Sequence, residues 1–372
     1  MCIRDRAKVI ARRGTYELAV NQWERRYHQQ LEEREKREAE EAKRKEELRE
    51  KLVPLVEKIS AKQAFPARGI LDQDYAIEAQ EELGRQVMAD LGFDLEGGRL
   101  DIAVHPFCGG TCRDDVRLTT RYNLDWLPGS LFGTIHETGH GLYEQGLPAE
   151  AAGAPAGDSV SLGIHESQSR LLENMVGRGR SFWVHYLPRL QALFPGQLDS
   201  VDVDAFYAAV NQVEPSLIRV EADEVTYNLH ILLRFELERD IFEDRVEIGD
   251  LPTVWNDRME QYLGVRPPDD AQGVLQDIHW SMGGMGYFPT YTLGNLYAAH
   301  FFHQAHVDLP DIEAQIARGE FQGLKTWLNE KIHRRGSRLT AGELCEEVTG
   351  EKLSADYFTD YLEAKFGALY GL

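Results

Sequence analysis

The chain has 372 residues, 42% of them hydrophobic, and a formal charge of −21 at pH 7. That is enough apolar material for a large buried core. So acidic a surface repels phosphates, which argues against a nucleic-acid partner, and no run approaches the roughly 18 apolar residues that a membrane-spanning helix needs.

The first residues, "MCIRDRAKVI", hold no apolar stretch long enough for a signal peptide. Residues 1–6 resemble translated adaptor sequence and are expected to be a non-native leader. Residues 15–63 read as helix, rich in Glu, Lys, Arg, Gln, Leu and Ala. Between Glu32 and Lys51 stand nine acids and eight bases with hardly an apolar residue, the pattern of a solvated helix laced with ion pairs rather than a coiled coil. Residues 75–94 predict an amphipathic helix ended by Gly92. Two alternating segments follow, "GRLDIAVHPF" and "DVRLTTRYN", on either side of "CGGTCRD", and predict a small antiparallel hairpin or sheet near residues 99–123. Cys108 and Cys112 lie close together without a second such pair. The four cysteines read as free thiols of a reducing, cytoplasmic compartment. From Leu131 onward helical periodicity dominates, with helices expected at 131–145, 163–177, 181–193, 202–211, 215–242, 252–263, 292–306, 310–318, 321–333, 340–349 and 354–370. The fold class is mainly α, and with no repeat or Gly/Ser linker residues 1–372 read as one domain.

Within "FGTIHETGHGLYEQG", His136 and His140 are four apart, so on a helix they lie roughly 40° apart on one face and can grip one ion. Glu137 is turned about 100° from His136 and can stand beside the ion as a general base. A catalytic zinc normally takes three protein ligands. The best third donor is Glu166 in "GIHESQSRLLENMVGRG", with Glu173 as runner-up and His165 as a further alternative.

Six short blocks in order resemble the M32 metallocarboxypeptidases, the carboxypeptidase Taq family. They are His105-Pro106-Phe107, "DVRLT" from Asp115 to Thr119, "HETGH" from His136 to His140, "HESQ" from His165 to Gln168, "IRVEAD" from Ile218 to Asp223, and "GVLQDIHW" from Gly273 to Trp280. The resemblance runs from about Thr15 to the C-terminus. It implies the elongated helical fold shared with neurolysin- and angiotensin-converting-enzyme-like peptidases. It also implies zinc on His136, His140 and Glu166, with Glu137 as base. Cobalt is expected to substitute, a homodimer is expected, and the substrates are expected to be peptides with a free C-terminus. Members of the family carry additional helical residues ahead of this start, so the domain is expected to lack its N-terminal helical part.

Hydrolysis needs donors for the developing oxyanion. His279 and Tyr291 are the candidates, and Tyr287 is a third donor on the same glycine-rich stretch. Tyr291 is placed like a tyrosine of related helical zinc peptidases. Trp280 reads as core or groove wall, and Asp277 as an acceptor that orients a ligand histidine. A terminal carboxylate suits an arginine fork, and Arg219 leads, with Arg117 and Arg170 as alternatives. His105 is a candidate at the substrate side. His230, His300, His303, His306 and His333 lack a partner pattern and read as structural or surface residues. The reading is therefore a zinc carboxypeptidase of broad specificity. An endo- or dipeptidyl oligopeptidase with the same site, and an inactive metal-binding helical protein, are its rivals.

Overall fold

Leu127, Leu131, Ile135, Thr138 and Leu142 recur at three- and four-residue intervals, and all are buried. That stripe makes residues 127–146 a helix with one face in the core, and it leaves His136 and His140 on the other face. The computed structural model describes residues 46–62 and 68–372. Residues 46–50 are helical and fall in a first, smaller unit, while residues 51–372 form a second, larger compact unit. Most of the helix expected at 15–63, and the leader at 1–6, lie outside the described residues.

The larger unit is mainly helical, as the sequence predicts. In order it runs through α1 (residues 51–60), α2 (Arg68–Leu71), α3 (Ile77–Leu91), β1 (Gly98–Ile102), β2 (Cys108–Cys112), β3 (Asp115–Thr120), α4 (Leu127–Gly146) and α5 (Leu162–Arg170). A π-helical turn, Leu171–Gly177, continues α5. Then come α6 (Arg180–Leu193), α7 (Val203–Val210), α8 (Tyr227–Phe242), α9 (Leu251–Leu263), α10 (Pro289–Asp308), α11 (Ile312–Ala317), α12 (Gln322–Lys331), α13 (Ala341–Thr349) and α14 (Asp356–Tyr370). Among the described residues no helix is long and apolar enough to cross a membrane.

Two expectations need correction. The sheet is mixed, with strand order β1-β3-β2. β1 runs parallel to β3, and the expected loop, Cys108–Cys112, is itself an edge strand antiparallel to it. Its two glycines hid the strand from a propensity argument. The helix expected at 215–242 begins only at Tyr227. The Asp223 carboxylate accepts the backbone N–H groups of Val225 and Thr226 at 2.9 and 3.0 Å, so it caps the helix there and leaves 215–226 outside.

The sheet supports α4 through Leu118 and Val116, which are fully buried. On its other side α4 meets α5 at Gly139, where a Cβ would sit 2.5 Å from the Gln168 carbonyl oxygen. A side chain there would force the helices apart. α10 closes on α5 in the same way at Gly294, where a Cβ would stand 2.7 Å from Cβ of Glu166.

Candidate metal and catalytic centre

The close crossing of α4 and α5 brings Glu166 under the histidine pair. Its Oε2 lies 3.3 Å from His140 Nε2 and 3.8 Å from His136 Nε2. One donor atom from each of the three side chains falls within 4.8 Å of the others. Two imidazoles and one carboxylate converging in this way fit a tetrahedral zinc-type site with an open position.

The far nitrogens are held as well. Glu173 Oε2 accepts from His136 Nδ1 at 2.9 Å. His140 Nδ1 faces His165 Nδ1 at 2.6 Å, and His165 Nε2 donates to Glu144 at 2.7 Å. This fixes the tautomers, leaving both Nε2 atoms free to ligate. Glu173 and His165, the alternative ligands, are thus placed as partners of the ligand histidines. Glu144 was not singled out from sequence, although its position four residues after His140 is the pattern that would have found it.

Glu166 and Glu137 are both 5% exposed. Burial opposes ionisation of Glu166, but Arg170 at 2.7 Å and the two histidines hold its carboxyl far below the usual range. Glu137 is pushed up to about 7, mainly by burial, with the charges of Glu166 and Glu173 adding. Among the described residues its Oε2 has no hydrogen-bond partner. A buried carboxylate oxygen left open beside three converging donors is the place for a water. Burial brings His140 down to about 4, so the imidazole is neutral and able to ligate.

The sequence profile of the Carboxypeptidase Taq (M32) metallopeptidase family matches residues 7–366. The chain belongs to the M32 family. It is 51% identical over 325 residues to thermostable carboxypeptidase 1 of Thermus thermophilus, a match covering 87% of this chain and 64% of that protein. It is 44% identical over 324 residues to carboxypeptidase 1 of Bacillus subtilis, covering 87% of this chain and 65% of that one. Among solved structures, the M32 carboxypeptidase from Deinococcus radiodurans R1 superposes with a TM-score of 0.87 at 44% identity, over 89% of this chain and 67% of that chain. The chain thus spans just under two thirds of the curated relatives it matches.

The remaining M32 blocks dock on one another. Arg219 of "IRVEAD" meets Asp277 Oδ1 of "GVLQDIHW" at 2.8 Å, and Arg234 of α8 meets Asp277 Oδ2 at 2.6 Å. Gln276 Oε1 accepts from the Arg219 backbone N–H at 3.0 Å and from the Arg234 guanidinium at 2.8 Å. Asp277 therefore does not reach a ligand histidine, contrary to the expectation from sequence; Glu173 fills that place. The Asp277 carboxyl stays below its usual range because the two arginines outweigh its burial.

A continuous path joins this network to the metal site. The Arg170 guanidinium lies 4.2 Å over the Tyr227 ring, and Tyr227 Oη accepts from Arg219 at 3.1 Å. Beyond it, His279 Nε2 and Tyr291 Oη are 3.1 Å apart. Tyr291 sits one turn before Gly294 on α10 and so shares the face that touches Glu166. Tyr287 packs 5.5 Å from Tyr291, ring to ring, and is partly exposed. His105 is exposed.

Of the three candidate arginines, Arg117 projects from the sheet face opposite the buried Leu118 and is held by Asp115 at 2.9 Å. Arg170 is occupied by Glu166 and Glu173. Arg219 is buried and paired, but its guanidinium lies 5.0 Å over the Tyr291 ring. Trp280 packs half-buried against the core cluster of Tyr227, Ile231 and Phe288 and donates to Glu238 at 2.7 Å.

Proposed function

We propose that this chain carries the catalytic centre of a zinc metallocarboxypeptidase that removes residues from the free C-terminus of peptides. The observation that carries the reading is the convergence of His136, His140 and Glu166 beside the open, buried Glu137. When bound, the divalent ion supplies Lewis acidity towards a carbonyl and acidifies a water. Glu137 takes the water's proton and hands it to the leaving amine, a task suited to a carboxyl titrating near 7. Tyr291 and His279 donate to the oxyanion, with Tyr287 beside them. Arg219 is the proposed partner of the substrate carboxylate, since it alone of the three arginines lies against Tyr291. His105 and Arg117 are assigned to the outer substrate side. Zinc is chosen on the donor set, with cobalt as substitute. The homodimer follows from the family resemblance. Cys108, Cys112 and Cys345 are free thiols, which supports the cytoplasm.

The test compares a free-acid peptide with its C-terminal amide. The carboxypeptidase reading requires the amide to be cut at least tenfold more slowly, the loss of one charge-assisted contact being about 1.5–3 kcal/mol. Equal rates would install the oligopeptidase reading instead. Arg219→Ala should be impaired on the free acid and show no further loss on the amide.

A further inference from the structure

Glu173 reaches His136 from a π-helical turn, and that turn is held from outside. The backbone N–H of Arg178 returns to the Glu173 carbonyl at 3.0 Å, five residues back, and that of Gly179 to Val176 at 2.9 Å. The Asn174 carbonyl accepts from Tyr361 Oη and from Lys365 Nζ, each at 3.2 Å. These two side chains stand one turn apart on α14. The Lys365 ammonium is buried and also meets Glu224 at 2.7 Å and Tyr361 Oη at 3.0 Å. All three of its protons therefore have acceptors. A buried ion pair of this kind is weak evidence for stability, because desolvation offsets its attraction, and its best-attested use is to fix one arrangement over another. The arrangement it touches is a rare one. π-turns are uncommon and cluster at functional sites. Reverting this one to α pitch would re-aim the side chains within it.

We propose that Lys365 and Tyr361 of the C-terminal helix are positioning residues for the metal ligand His136, acting through the Asn174 carbonyl and the π-turn that presents Glu173. The inference rests on the reading of His136 as a ligand. Neither residue belongs to a block that the family resemblance rests on.

The test is zinc affinity, read by competition with a chromogenic chelator on the full chain. It is measured for the wild type, Tyr361→Phe, Lys365→Met, Glu173→Gln and the double variants that combine Glu173→Gln with each of the others. Metal-free melting is recorded alongside. Glu173→Gln should weaken zinc about 10- to 100-fold, the usual cost of losing a ligand's partner. Lys365→Met should weaken it by about tenfold and Tyr361→Phe by less, and neither should add to Glu173→Gln, because all act through one contact. A purely structural role would lower the melting temperature and leave affinity well below that temperature unchanged. Wild-type affinity in both α14 variants, or losses that add in full to that of Glu173→Gln, would overturn the inference. Should Lys365→Met not fold, Tyr361→Phe decides by the same comparison. A wild type that holds no zinc would bring down the metal-centre reading itself, and this inference with it.

Discussion

Glu137 and Glu166 are buried to the same degree, yet their surroundings drive them apart. Arg170 and two histidines keep Glu166 ionised, while among the described residues Glu137 has no partner for one oxygen and burial pushes its carboxyl up to about 7. Two carboxylates with separated pKa values imply two roles, ligand and base. His136→Ala or His140→Ala should therefore lose the ion, as elemental analysis will show. Glu137→Gln should retain it and lose about 10²- to 10⁴-fold in kcat, the range for a general base. Near-normal turnover in that variant would remove Glu137 from the mechanism. Glu166→Ala should abolish tight zinc binding where Glu173→Gln only weakens it, if one is the ligand and the other the partner of a ligand as proposed.

At the scale of elements, two distant segments are docked through a single carboxylate. Asp277 holds two buried guanidinium groups, so Asp277→Asn leaves both without their counter-charge. Removing one partner of a buried ion pair costs roughly 3–5 kcal/mol, which denaturant titration will measure. The pH dependence follows from the sign. The folded carboxyl titrates below its unfolded value. Its stabilisation is thus fully present above about pH 4, the unfolded value, and is lost as pH falls through the lower folded one. Asp277→Asn should show a correspondingly shallower acid limb. Gly139→Ala should destabilise by about 1–3 kcal/mol, the usual cost of overpacking, since the added carbon meets a backbone oxygen.

The legible parts were those with a period. The metal triad follows from i,i+4 spacing and a ligand count, and the helices from their apolar stripes. What the sequence hid depends on tertiary contact. Glycine-rich β2 is a strand because β3 lies beside it. The Arg219 turn stands outside a helix because Asp223 caps first. Asp277 was matched to the wrong partner because nothing in the sequence announces two arginines at 219 and 234. Glu173 was visible as a candidate, but choosing between ligand and partner needed the π-turn.

For the molecule as a whole, the acidic balance has a cost that the metal partly offsets. Four carboxylates, Glu137, Glu144, Glu166 and Glu173, cluster around one site, where Arg170 and Arg178 compensate only Glu166 and Glu173, and a bound divalent ion would relieve the repulsion that is left. Zinc at 100 times its dissociation constant should stabilise the folded state by about 2.7 kcal/mol. Adding EDTA should lower the melting temperature by a few degrees, and readding zinc should restore it. The same charge of −21 opposes the approach of peptide carboxylates. The kcat/KM for acidic peptides should therefore rise as salt is added, before general inhibition sets in.

The two glycine seats have a consequence in time. α5 is gripped by bare backbone on one side at Gly139 and on the other at Gly294. No rotamer change in either neighbour can make room for it to slide, so Glu166 moves only when whole helices part. Local breathing, which lets exchangeable protons escape from loops and frayed ends, has no low-energy route here. Deuterium should enter the amides of residues 166–170 at the rate set by global unfolding, with or without the ion.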